Sequence, residues 1–126
     1  MLNKGLRDEK KVKIDNMLST LLSLVFVPKF WNIEDTSILD NKLTGFDLSI
    51  ENLKDLNEDD LIAHLGGYHL DWKQFEQFAD VLVLLSQEKQ FDFIDKAIAV
   101  YNYIQLESKT FSFDIFNKIA AAKEKL

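Results

Sequence analysis

Residues that break helices are scarce in this chain. Its 126 residues include one proline, Pro28, and four glycines, Gly5, Gly45, Gly66 and Gly67. A fold made of many short strands needs frequent tight turns, and such turns draw on glycine and proline for backbone angles that other residues resist. So few turn-formers predict an all-α chain. The length suits a single domain over residues 1–126, and ten phenylalanines within a 47% hydrophobic composition supply enough apolar surface for a packed core. The expected architecture is a bundle of five to seven helices with antiparallel helix pairs.

Apolar spacing locates the helices. From Val12 onward, Ile14, Met17, Leu18, Leu21, Leu22 and Val25 recur at intervals of three and four, forming one stripe. Leu24, Phe26 and Val27 widen it until the helix is apolar nearly all round, and Pro28 ends it. Thr36 is placed to cap a short helix reaching Leu43, with Gly45 as its left-handed terminator. Ser49 caps "IENLKDL", and Asn57 opens "EDDLIAHL", whose three acids sit where the helix dipole favours them. Asp71 and Gln74 have capping-box spacing ahead of a longer helix with Trp72, Phe75, Phe78, Ala79, Leu82 and Leu85 inward. Ile94, Ala97, Ile98 and Tyr101 repeat the pattern, as do Ile115, Phe116, Ile119 and Ala120 after a cap at Thr110 or Ser112.

Composition narrows the function classes. The chain has no cysteine, so thiolate chemistry, disulfides and cysteine metal sites are excluded. A formal net charge of −6 opposes binding to nucleic acid or anionic membrane. Lys4, Arg7, Lys10, Lys11 and Lys13 cluster near the start, but Asp8 and Glu9 interrupt them, as in a solvated helix entry. No apolar run reaches the roughly 20 residues that span a bilayer. "MLSTLLSLVFV", residues 17–27, has the length of a signal-peptide core, but Asp8, Glu9 and Asp15 precede it and no small-residue cleavage site follows. The chain is expected in the cytoplasm.

Three segments invite a chemical reading. "HLGGYHLDW", residues 64–72, holds both histidines, but Gly66 and Gly67 stand between them and break the helical spacing that would aim both rings at one ion. A helix–helix corner accounts for the whole segment, with Gly67 at positive φ and both histidines dispensable. "DNKLTGFDLSIE", residues 40–51, matches an EF-hand loop at Asp40, Gly45 and Glu51, yet Lys42 puts an ammonium where a calcium ligand belongs and Asp47 replaces the usual apolar residue. Between Glu34 and Asp60, nine acids face only Lys42 and Lys54, a charged surface suited to steering a basic partner. Neither a nucleophile motif nor a phosphate-cradling glycine loop is present, and no cofactor or metal is expected.

The apolar first helix and its exit suggest a protein interface, with Leu18, Leu21, Leu22, Val25, Phe26, Phe30 and Trp31 as the candidate contact residues, shared between two copies in a homodimer. Further along, "LVLLSQEKQFDFIDKAIAVYNYIQLE", residues 82–107, resembles the middle of a tetratricopeptide-type (TPR-like) helical hairpin. Ala97 and Tyr101 match its small residue and the aromatic four places on, whereas the first helix lacks the family's glycine and tyrosine and no proline follows the second. The resemblance implies stacked antiparallel helices and protein or peptide binding. The leading expectation is therefore a non-catalytic interaction module, a small adaptor or regulator. The alternative is a small-molecule-binding or enzymatic bundle with an aromatic pocket among Trp31, Tyr68, Trp72 and Tyr101.

Overall fold

The structure, a computed structural model, describes residues 2–26, 37–87 and 91–126. Among them, all regular structure is helical, as the shortage of turn-formers requires. Seven α-helices follow in order: α1 (Leu2–Phe26), α2 (Ser37–Leu43), α3 (Ile50–Asp55), α4 (Glu58–Gly66), α5 (Trp72–Leu85), α6 (Ile94–Glu107) and α7 (Phe113–Lys123). A 3₁₀ turn, Thr44–Phe46, continues α2.

Side-chain caps start four of these helices where the sequence places them. Ser49 accepts from the Asn52 amide, Asn57 from Asp60, and Ser112 from Ile115. Asp71 and Gln74 close a reciprocal capping box at the start of α5. Each cap satisfies an amide that has no partner inside its own helix. Thr36 lies outside the described residues.

α5 is the central element. It packs on α1 on one side and on α6 on the other, and α7 lies against α6. α5 and α6 run antiparallel, with Ser86 beside Phe93 at one end and Phe75 against Tyr103 toward the other. One cluster of buried side chains joins Ile14, Leu18 and Leu21 of α1 to Phe46, Leu61 and Leu65, to Phe78 and Leu82 of α5, to Ala97 and Tyr101 of α6, and to Ile115 of α7. Close packing of these groups is the main stabilising term.

Several inward assignments need correction. Val12 is 56% exposed and Trp72 40% exposed, because each sits at the edge of its helix contact rather than beneath it. On α6, Val100 and Ile104 are buried while Ile98 is only partly covered. On α7 the buried positions are Ile115 and Ala122, with Ile119 partly buried, and Phe116 and Ala120 point outward.

The glycines also work differently from expectation. None of the described glycines has positive φ, and Gly67 is right-handed at φ −64°. His69 takes the left-handed position at the α4–α5 corner, with φ 56°, and Asp47 takes it after the 3₁₀ turn, with φ 54°. Gly45 is small for a different reason. A Cβ there would stand 2.0 Å from the Met17 sulfur, so the lack of a side chain is what lets α1 approach the turn after α2.

Candidate functional site

A cleft of about 310 Å³ opens where α1, α5, α6 and α7 converge. Leu22, Val83, Leu84, Ala121 and Ala122 supply aliphatic walls, and Asp80, Tyr101, Lys118 and Lys125 supply the polar groups. Helical spacing puts Glu76 and Asp80 one turn apart on α5, so both carboxylates reach the same ammonium. Lys118 Nζ of α7 donates to Glu76 Oε2 at 2.6 Å and to Asp80 Oδ2 at 3.0 Å. The Tyr101 hydroxyl of α6 donates to Asp80 Oδ1 at 2.5 Å.

The electrostatics of this network are those of a brace. Burial pushes the Tyr101 phenol far above its usual range, and the bond to Asp80 and the Asp80 and Glu76 charges push it the same way. For Lys118, burial works against the charge, but the bonds to Glu76 and Asp80 outweigh it and leave its pKa raised. Both groups therefore hold their protons throughout the neutral range, and both carboxylates are engaged as acceptors. The arrangement can donate hydrogen bonds and fix three helices together; it offers no free base or activated nucleophile.

The aromatic residues proposed to share a pocket are dispersed. Tyr101 lies at the cleft. Tyr68 donates to the Asp47 carboxylate and rests edge-on against Phe46, which raises its pKa chiefly through that hydrogen bond. Trp72 packs with Phe75 and Tyr103. Trp31 lies outside the described residues.

The first-helix interface residues divide in a similar way. Leu18 and Leu21 are fully buried within the chain, and Leu22 is partly buried at the cleft. Leu18 and Leu21 thus face α5 and the α2 region and present no surface to another molecule in this fold. Phe30 and Trp31, and the side chains of Val25 and Phe26, lie outside the described residues.

At the α4–α5 corner the histidines have unlike roles. His64 Nε2 is 2.6 Å from the Phe46 carbonyl oxygen, which can only accept, so that nitrogen carries the proton. The bond ties α4 to the 3₁₀ turn and gives His64 a part in the corner. His69 is exposed at its left-handed position. In the EF-hand-like segment, residues 40–46 are helical rather than looped, and Asp40 Oδ1 accepts from the Ile50 amide at 2.7 Å, which fixes the entry to α3. Among the described residues no group of three or more potential metal ligands gathers, and no helix is long and apolar enough to cross a membrane.

A different surface feature escapes the sequence reading. Phe111, Phe113 and Phe116 are 59%, 75% and 54% exposed, yet Phe111 packs against both of the others, with ring centroids 5.0 Å apart for Phe111–Phe113 and 5.9 Å for Phe111–Phe116. The Gln105 amide holds the turn beneath them through bonds to both the Ser112 carbonyl and its N–H. The signal lies in "FSFDIF": with Ile115 inward, Phe113 and Phe116 cannot both share its face of α7. From side-chain areas, the cluster exposes about 400 Å² of apolar surface, comparable to the largest patch on a typical small protein, which is often functional.

No protein-family model, curated protein or solved structure matches the chain.

Proposed function

We propose that this chain is a non-catalytic protein-interaction module, a small adaptor or regulator of the cytoplasm, and that it binds through the aromatic cluster Phe111, Phe113 and Phe116. The observation that carries this reading is the exposure of three phenylalanines, with Phe111 packed against both Phe113 and Phe116, on a turn held in place by Gln105. Large apolar groups in water are costly, and a fixed cluster of them is the usual core of a binding surface. The TPR-like resemblance of residues 82–107 agrees with protein binding.

The test is site-specific photocrosslinking from position 113 in the native cell, with position 59 as the control, followed by titration of the purified adduct partner. The expected result is a protein adduct at 113 whose affinity falls at least tenfold in Phe113→Glu. No adduct at 113 overturns the reading.

The cleft supports a second reading, an amphipathic small-molecule site, because its walls are aliphatic and Lys125 has no ion-pair partner among the described residues. Stabilisation by a medium-chain carboxylate, lost in Ala121→Trp, would favour it over the interaction module.

A further inference from the structure

α7 lies against α6 and presents a second face to solvent. Ile115, Ile119 and Ala122 face α5 and α6, and Lys118 on the same side is clamped by Glu76 and Asp80. On the opposite side Phe113, Asn117, Ala120 and Glu124 recur at intervals of four, three and four, all exposed, with Phe116 beside them. Phe113, Phe116 and Ala120 thus leave apolar surface in water beside the polar Asn117 and Glu124.

We infer that this exposed face is covered by α7 of a second copy of this chain, packed antiparallel across a two-fold axis. This rests on the reading of the aromatic cluster as an interaction surface and names its occupant. The outer face is self-complementary in size: bulky Phe113 lies at one end and small Ala120 lies two turns away, about 10 Å along the axis. An axis between Phe116 and Asn117 sets Phe113 of each copy over Ala120 of the other, large against small, as interdigitating helices require. The face is self-complementary in charge as well. The same axis carries exposed Glu124 at the end of one α7 to the start of the other, where the helix dipole is positive and Lys109 is exposed. Two aromatic clusters with their flanking residues remove about 1,000 Å² from water, the lower bound of a specific interface. A pairing of that size is reversible.

Sedimentation equilibrium on the full chain tests the inference, combined with single cysteines placed in a sequence that has none. The wild type is expected to approach twice 14.6 kDa at high micromolar concentration. Phe113→Glu should be a monomer with unchanged helical circular dichroism, since the residue is exposed within one chain. Asn117→Cys, next to the axis, should oxidise to a covalent dimer, and Asn102→Cys, exposed on α6, should not. A wild-type monomer overturns the inference, as does a dimer that persists in both Phe113→Glu and Phe116→Glu. The photocrosslink from position 113 separates the two failures. A monomer that still forms an adduct with another protein sinks self-pairing alone, whereas a monomer without an adduct sinks the interaction reading with it.

Discussion

Gln74 joins the start of α5 to the middle of α1: its Nε2 donates to Asp15 Oδ1 at 2.9 Å while its Oε1 accepts the Asp71 amide at 2.9 Å. It is 2% exposed, so one side chain serves both as half of a capping box and as a buried bond between helices. Gln74→Glu keeps the acceptor, removes the donor and sets a second carboxylate against Asp15. The expected loss is about 2 kcal/mol at neutral pH by urea unfolding. Crowding raises the carboxyl pKa in the folded state, so the deficit should shrink as pH falls. A variant as stable as wild type at pH 7 would show that the bond to Asp15 contributes nothing.

The Tyr101–Asp80–Lys118 brace predicts an alkaline weakness. Tyr101 and Lys118 both have folded-state pKa values above their unfolded values of 10.0 and 10.5. Their contribution is fully present below pH 10 and is lost as the unfolded chain releases protons that the folded chain keeps. Unfolding stability should fall steadily above pH 10, with a shallower slope in Tyr101→Phe. Equal slopes in the two proteins would remove Tyr101 from the account.

The two histidines should act in opposite directions. His64→Ala leaves the Phe46 carbonyl without its side-chain donor and is expected to cost about 1 kcal/mol. His69→Gly relieves a left-handed backbone and should stabilise by up to about 1 kcal/mol. Gly67→Ala should cost about 0.5 kcal/mol, because its Cβ would press on the His64 backbone carbonyl oxygen at 3.3 Å, although its right-handed φ suits any residue. Thermal melts of the three variants decide the matter, and destabilisation by His69→Gly would count against the corner geometry.

Gly45→Ala forces the Met17 sulfur aside. The thioether is flexible, so a cost of about 1 kcal/mol is expected, and that cost should vanish when Gly45→Ala is made in a Met17→Ala background. An equal cost in both backgrounds would place the conflict elsewhere.

Leu21→Asp puts a charge at a position with no exposure, and it should lose helicity and cooperativity together rather than yield a folded monomer. Circular dichroism with sedimentation distinguishes those outcomes.

The local grammar of the fold was legible because caps and spacing act over a few residues. Asp71 with Gln74, Ser49 and Asn57 each specify a helix start without reference to anything distant. What the sequence could not supply was the neighbour. Phe116 and Ile115 are equally apolar, and only the arrival of α5 and α6 on one side of α7 decides which is covered. Leu21 marked an apolar stripe, but whether α5 or a second chain fills it depends on contacts more than fifty residues away. The corner shows the same limit at the backbone: "GGYH" signals a left-handed residue without saying which of the four adopts it. The cleft network was illegible for a related reason, since Glu76, Tyr101 and Lys118 carry no shared spacing.

α6 lacks a side-chain cap of its own. The Phe93 amide just before it donates to Ser86 Oγ at 3.0 Å, and that hydroxyl donates to the Leu82 carbonyl inside α5 at 2.7 Å. α3, α4, α5 and α7 carry their starting signals within their own first turns, whereas the entry to α6 takes its acceptor from the end of α5, so the two helix ends are tied to one another. In hydrogen exchange, the first amides of α6 should open together with the end of α5, as one kinetic unit.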